Sequence, residues 1–486
     1  MINRLRHGCL AFGMAVGCIG AAHTVGAEEE VRWDMSPHVA ISQIYTDNIG
    51  LSPPGQEDHE YITQTDVGFT LNREGRRAEL NLAYNLQDLI YWRKTRSNTT
   101  YYQFSGDGNV ELLPERFFVE AKSTYSQRFR SRRDNVLLDN VNNNGQRSDV
   151  LTSHVSPHFI QRLGNFATGQ LRYTYDRVDY QGPNTSGLDS ETNRAMARID
   201  SGTMFSRIGW ELSFQRSETD YDDGSAVTLQ TAEALLRWYV TNQFSVFAAG
   251  GDEDNEYVQD PRRARPDDTF WRAGASWQPG TRTSMEAYYG ERFFGETYGG
   301  SLNHRFRHSQ LAMEYSEGLA TVSSFEIERL VLPVVDGAGD PLIVDGEPVF
   351  LVLEFPDLQT GVYLRRRFSL GFSGEKRRLT WSLRGFNERR EFEATDRQER
   401  VRGVGVNFAL RVAPRTQLLL NGSVQDSTYQ EDDREDRYYV IGTGMLRDIG
   451  PSTSGSIEYR HVERESNHPG FDFRENRVSV RFRKRF

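Results

Sequence analysis

Apolar and polar residues alternate along most of this chain with a period of two. An early segment has apolar side chains at every second position, namely Ala78, Leu80, Leu82, Tyr84 and Leu86. A later segment repeats the pattern with Val404, Val406, Phe408, Leu410 and Val412. Successive side chains of a β-strand point to opposite faces, so this period predicts strands with one apolar and one polar face. After residue 27, no stretch approaches the roughly 20 apolar residues that a membrane-spanning helix needs.

Such alternation, repeated from end to end, is typical of a transmembrane β-barrel whose outer face meets lipid and whose inner face meets water. Ten short turn signals divide the pattern, at Glu74-Gly75, Pro114, Gly164-Asn165, Gly202, Thr241-Asn242, Pro279-Gly280, Arg307-His308, Gly374-Glu375, Pro414 and Gly450-Pro451. Eleven longer, more charged connections alternate with them, including 131–148, 181–190, 257–266, 324–358 and 466–472. We therefore predict an all-β, large antiparallel barrel of the bacterial outer membrane with about 22 strands (range 18–22).

The first 27 residues have the features of a cleavable signal peptide. Arg4 and Arg6 precede an apolar stretch, and small residues close the segment at Val25-Gly26-Ala27. Residues 28–486 are predicted to form a single barrel. Only a few residues precede the first strand-like stretch, Pro37 to Asn48, so no plug is expected before the barrel.

The last predicted strand suggests both an assembly signal and part of a lumen lining. Apolar residues on one face include Phe482 and the terminal Phe486, which we expect the barrel-assembly machinery to recognise. The opposite face carries Arg481, Arg483 and Arg485. By the same alternation, the candidate lumen-lining residues are Arg481, Arg483, Arg485, Arg411 and Glu79.

Composition and charge narrow the set of partners. Hydrophobic residues make up only 37% of the chain while aromatic residues reach 12%, which is unusual for several soluble domains. Removing Arg4 and Arg6 with the signal peptide takes the net charge from −10 to −12. An acidic chain is a poor candidate for binding nucleic acid. Near a predicted outer rim, Arg130, Arg132 and Arg133 are candidates for contact with lipopolysaccharide phosphates, and outer-membrane lipids are the expected surroundings.

The longest predicted loop, 324–358, is unusually apolar for a loop. Two turn signals interrupt it, Asp336-Gly337 and Asp345-Gly346. Two interpretations stay open for this segment. It extends the barrel hairpins outside the membrane, or it folds into the lumen and constricts a barrel that would otherwise be wide.

Several motifs together resemble the family of outer-membrane proteins associated with the PEP-CTERM system. The motifs are Tyr45-Thr46-Asp47-Asn48-Ile49, Ile62-Thr63-Gln64, Leu71-Asn72-Arg73-Glu74-Gly75-Arg76-Arg77, Tyr84-Asn85-Leu86-Gln87 and Tyr289-Gly290-Glu291-Arg292-Phe293-Phe294-Gly295. The last is the most distinctive. Members of this family accompany exosortase and exopolysaccharide loci. The resemblance therefore implies an outer-membrane location and an association with these loci, but it implies no reaction.

No catalytic, cofactor-binding or metal-binding motif stands out. His154 lies near Ser153 and His158, and His461 lies near Ser466, but neither set has a recognisable catalytic context. The leading hypothesis is a porin-like channel, extended by the resemblance to a conduit for exopolysaccharide export. A non-conducting scaffold for a surface polysaccharide or a protein-sorting system is the alternative, and a barrel enzyme is the third.

Overall fold

A computed structural model describes the chain over residues 32–129, 139–142, 147–182, 185, 187–263, 265–321, 343–344, 347–348, 361–395 and 397–486. In these residues, 22 long strands form one antiparallel sheet, and the sheet closes because the first strand pairs with the last. The predicted strand count is therefore confirmed. No helix in the described ranges is long and apolar enough to cross a membrane. The predicted signal peptide, Arg130, Arg132, Arg133 and nearly all of 324–358 lie outside the described residues.

The barrel strands are named β1 to β22 in chain order. They are Arg32–Thr46, Glu60–Glu74, Ala78–Tyr91, Thr99–Leu113, Phe117–Phe129, Arg147–Leu163, Ala167–Gln181, Ser190–Ser201, Ile208–Tyr221, Ala226–Tyr239, Phe244–Glu256, Asp268–Gly280, Thr283–Arg292, Gly295–Arg305, Ser309–Thr321, Val362–Lys376, Leu379–Phe392, Gln398–Ala413, Thr416–Tyr429, Arg434–Gly450, Thr453–Ser466 and Phe473–Arg485. A separate pair of two-residue strands, Ile343–Val344 and Glu347–Pro348, lies in the β15–β16 connection.

Connections at one end of the barrel are uniformly short, and this end is called the short-turn end. They span 75–77, 114–116, 164–166, 202–207, 240–243, 281–282, 306–308, 377–378, 414–415 and 451–452. At the opposite, long-loop end the connections range from the two residues 293–294 to the forty residues 322–361. In outer-membrane barrels the short turns face the periplasm and the longer loops face outward.

Two predicted turns are misplaced by two or three residues. Gly280 and Gly374 lie within strands, and the turns follow at 281–282 and 377–378. Gly374 is needed for close packing, because a Cβ there would lie 2.5 Å from both the Trp381 ring and the carbonyl oxygen of His308. The real turn places Arg377 at a φ of 60°, a left-handed conformation that no glycine in the sequence announces.

The two faces of the wall differ as the alternation predicts. On β22, Val480 and Phe482 are 52% and 53% exposed on the outside, whereas Arg477 and Arg483 are buried on the inside. Outward aromatic residues, including Trp92, Tyr102, Trp238 and Trp277, lie towards the strand ends, where aromatic girdles meet the membrane interface. The apolar face thus lies towards lipid and the polar face towards the lumen.

The wall is split between β14 and β15 at the long-loop end. These strands pair only from Gly300 with Tyr315 to Arg305 with Gln310, so the upper residues 295–299 and 316–321 do not pair with each other. Upper β15 instead reaches across the lumen, where Leu319 packs with Leu229 around a buried cluster on β9, β10 and β16. The lumen is therefore narrowed on this side.

Candidate functional site

The inner wall of the barrel carries a dense set of ion pairs. At one point Glu388 is almost fully buried and lies against three arginines of β16 and β17. Arg367 is 2.7 Å from this carboxylate, Arg365 is 3.9 Å away, and Arg390 also contacts it. Buried charges need such partners, and here the paired side chains make the inner wall polar.

A second cluster lies on β20 and β21. Asp436 accepts hydrogen bonds from Arg434 at 3.1 Å and from Arg464 at 2.6 Å. The ring of Phe471 lies 3.7 Å from the Arg434 guanidinium, a cation–π contact that holds the side chain in place. The preceding turn ends at residue 433, so Asp436 belongs to the inner wall.

The structure places the candidate lumen residues as follows. Arg481 donates a hydrogen bond of 3.4 Å to Asp66, across the intervening strand β1. Arg483 and Arg485 lie on the same face of β22 as Arg481, and Arg483 is 5% exposed. Glu79 and Arg411 are exposed side chains near the short-turn end. By alternation Glu79 shares the face of buried Gln87, and Arg411 that of buried Asn407.

Positive and negative side chains occupy neighbouring parts of this wall. The inner faces of β21 and β22 are rich in arginine, whereas those of β2 to β4 carry Asp66, Glu79 and Asp107. Asp66 also accepts hydrogen bonds from Gln64 and Asn85, so it stays anchored without Arg481. Opposed charges along a lumen create a transverse field that favours polar solutes.

A short part of the β5–β6 connection folds into the lumen. These residues, 139–142, are called the inner segment. Asp139 accepts a hydrogen bond of 2.6 Å from Arg477 and another from Arg460, both on the inner wall. Asn142 donates to Glu475 at 3.0 Å, and Asn140 donates to Gln87 at 2.8 Å. The segment thus spans the wall from β3 to β21.

Apolar and backbone contacts fix the inner segment further. Val141 is 2% exposed and packs in a cluster with Ile44, Ile62 and Leu89 on β1 to β3. The hydroxyl of Tyr91 donates to the Val141 carbonyl at 2.9 Å. Every residue from 140 to 142 is nearly inaccessible to solvent, so the segment is docked as part of the interior.

Electrostatics hold Asp139 in its charged form. Burial alone would raise the pKa of this carboxyl, but the charges and hydrogen bonds of Arg477 and Arg460 outweigh burial. The pKa of Asp139 therefore lies well below its ordinary value. Arg96, in the β3–β4 loop, donates to the Asn142 carbonyl at 3.0 Å, and burial lowers the pKa of its guanidinium.

One of the two interpretations of 324–358 is a constriction of the lumen, and this segment lies outside the described residues apart from two short strands. The inner segment was missed. Its sequence, Asp139-Asn140-Val141-Asn142, has the composition of an ordinary polar loop. Its acidic residue, Asp139, forms ion pairs with arginines more than 300 positions away in the chain, and no local sequence pattern reveals such a pairing.

The histidines considered for catalysis are dispersed. His154 lies 2.6 Å from Asp176 on the inner wall, an acid–imidazole pair, but the described contacts of this ring include no hydroxyl. His461 instead contacts Asn476 and Glu463. The described residues contain no group of three or more side chains arranged to hold a metal ion.

The acidic stretch 252–256 lies on a strand. Glu253 points inward and pairs with Arg292 at 2.5 Å, while Asp252 and Asp254 are exposed on the other face. In the following loop, Arg262 pairs with Asp260 at 2.7 Å. The acidic stretch 252–256 is therefore part of the barrel wall, whereas Arg262 and Asp260 form an ion pair within a loop.

Comparison with known proteins gives structural matches only. No protein-family model matches the chain, and no curated protein matches it in sequence. The siderophore receptor PirA from Acinetobacter baumannii matches with a TM-score of 0.50 and 9% identity, covering 93% of this chain and 81% of that chain. The FrpB iron transporter (F5-1 variant) from Neisseria meningitidis gives 0.47 and 9%, covering 93% and 82%. The outer membrane channel DcaP of Acinetobacter baumannii gives 0.32 and 10%, covering 95% and 100%.

The chain is an outer-membrane β-barrel. The closed 22-stranded sheet and the likeness to PirA agree on this, and the predicted location is confirmed. A sequence identity near 9% shows a similar fold alone. The absence of a plug and the signal peptide stay predictions.

Proposed function

We propose that this barrel is a passive channel for polar solutes across the outer membrane. The observation that carries the proposal is the inner wall itself, which is lined by ion-paired arginines and acids such as Arg481 with Asp66. The inner segment, held by Asp139, supplies the constriction that a barrel of 22 strands requires.

Polysaccharide is the solute class that we propose, as a conduit in exopolysaccharide export. The resemblance to proteins that accompany exopolysaccharide loci supports this extension. That support is an association with neighbouring loci. The polar wall is compatible with this solute class, since its inner faces carry charged side chains as well as the neutral polar side chains of serine, threonine and asparagine.

Liposome swelling tests the channel directly. Vesicles containing the refolded barrel are mixed with neutral saccharides from a monosaccharide to a heptasaccharide. A channel of limited width gives swelling rates that fall with saccharide size, whereas vesicles without protein stay unchanged. Equal rates for empty and protein-containing vesicles, with the barrel folded, would overturn the proposal.

A non-conducting scaffold is the second candidate, and two specific contacts favour it. The inner segment and upper β15 both narrow the lumen at the long-loop end. If they close it, the barrel would serve to anchor a surface polymer or partner proteins. In that case removal of residues 139–142 opens a path through an otherwise silent barrel. Contacts of Arg130, Arg132 and Arg133 with lipopolysaccharide are proposed for either function.

A further inference from the structure

A cavity lies inside the barrel beside the split between β14 and β15. Its volume is about 300 Å³, the lower end of the roughly 300–1,000 Å³ typical of small-molecule sites. One side is formed by the inner faces of β8, β9 and β10, and the other by upper β15 together with Arg365 of β16. Because upper β15 leaves β14 and crosses towards β10, the cavity is enclosed from opposite walls of the lumen.

Arg194 on β8 is the distinctive side chain of this cavity. Its Nε atom is buried and has no hydrogen-bond partner among the described residues. Neighbouring inward arginines differ: Arg198 pairs with Asp200 at 2.7 Å and with Glu211 at 2.9 Å, and Arg172 pairs with Glu120. Buried polar groups are nearly always paired, so a buried Nε–H of a guanidinium without a partner in a cavity points to a ligand that accepts a hydrogen bond and favours a positive charge.

Hydroxyl, amide, apolar and acidic groups line the cavity around this guanidinium. The acid is Glu317 of upper β15, where one carboxylate oxygen accepts a hydrogen bond of 2.5 Å from Tyr315 and the other is buried without a partner among the described residues. Ser217 lies beside Arg194 in the ladder, and Ser316 of upper β15 lines the same cavity. The hydroxyls of Thr192 and Thr219 lie 2.9 Å apart in a hydrogen bond to each other. Leu229 lines the same space. A ring with several hydroxyl groups, one carboxylate and an apolar face matches this lining.

We infer that this cavity binds a carboxylate-bearing sugar unit, with Arg194 holding the carboxylate. Ser217 and Ser316 hydrogen-bond to ring hydroxyls, and Leu229 packs against the C–H face of the ring. This inference rests on the proposed channel function and names its substrate class, an acidic saccharide. Arg194 acts as a binding residue that retains one sugar unit within the lumen.

Titration calorimetry of the refolded barrel in detergent, with sodium glucuronate, glucose and sodium acetate as probes, tests the inference. Glucuronate is expected to bind at least tenfold more tightly than either glucose or acetate, because only glucuronate uses both the guanidinium and the hydroxyls. The variant Arg194→Gln should weaken glucuronate binding by about tenfold to a hundredfold, the usual effect of losing charge-assisted hydrogen bonds. Arg198→Gln is the matched control, since Arg198 is committed to Asp200 and Glu211.

Three results would overturn the inference. The first is no heat of binding with millimolar glucuronate and the unaltered barrel. The second is equal weakening by Arg194→Gln and Arg198→Gln, which would indicate general attraction of anions. The third is acetate binding as tightly as glucuronate. Swelling of liposomes with neutral sugars is independent of this site, so the failure of either proposal can be recognised separately.

Discussion

Asp139 fastens the inner segment to the wall, and replacing it with asparagine tests how the lumen is constricted. The carboxylate accepts hydrogen bonds from Arg477 and Arg460. Asparagine keeps the size of the side chain but loses the charge. Arg477 retains Glu475 at 2.8 Å, whereas the pairing of Arg460 with Asp139 is lost. We expect the inner segment to detach more often and the wall to become more positive.

The size of the effect follows from two charge-assisted hydrogen bonds. Each is worth about 1.5–3 kcal/mol when both groups are buried. The Asp139 side chain is 31% exposed, so screening by solvent favours the low end, or about 3 kcal/mol for the pair. A change of about 3 kcal/mol corresponds to a roughly hundredfold rise in the detached fraction, since about 1.4 kcal/mol is tenfold.

Single-channel recording in a planar bilayer measures both consequences. Asp139→Asn should give more frequent steps of higher conductance and a reversal potential shifted towards anions. Glu79→Gln is the control, because it removes one negative charge near the short-turn end without touching the inner segment. If Asp139→Asn and Glu79→Gln change conductance equally, the inner segment does not constrict the lumen and the reasoning is refuted.

Three further outcomes are expected. Leu420→Arg places a charge on the lipid face near the middle of β19 and should cost about 2–4 kcal/mol. The neighbouring lumen variant Asn421→Arg should fold in vesicles with the yield of the unaltered barrel, as judged by heat-modifiable gel mobility. A lower folding yield for Asn421→Arg than for Leu420→Arg would mean that the two faces are reversed. Arg481→Ala should shift the reversal potential towards cations while the barrel still folds, because Asp66 keeps its other hydrogen bonds; an unchanged potential would exclude Arg481 from the ion path. Because the pKa of Asp139 lies below its ordinary value of 3.8, its carboxylate stabilises docking above about pH 4, and this contribution is lost only as the pH falls through the depressed pKa. Conductance should therefore stay constant between about pH 8 and 5, and a rise within that range would contradict this assignment.

Much of the barrel could be predicted because its wall imposes one rule on every strand. Lipid on one side and water on the other require alternation, and this rule together with the turn signals leads to 22 strands and ten short turns. Glycine alone does not locate a turn, since it occurs both in turns and at tightly packed positions within strands. Gly164 does occupy a turn at a φ of 60°, but Gly374 lies in a strand under the Trp381 ring.

The interior could not be predicted in the same way. Alternation shows that Arg460 and Arg477 face inward, but it does not show which acid they meet. That acid comes from a loop whose path across the lumen depends on contacts with several strands at once. The cavity near Arg194 likewise arises because β15 leaves β14, a departure from the regular sheet that the sequence of β15 does not mark.

The central claim is that this barrel conducts through a lumen narrowed by the inner segment. Single-channel recording of the unaltered barrel, beside a variant lacking residues 139–142, tests it most directly. The account predicts stable open steps for the unaltered barrel and larger steps for the deletion variant. Folded protein that gives no conductance in either form would contradict the claim, and the function would then have to be sought in partners bound at the surface.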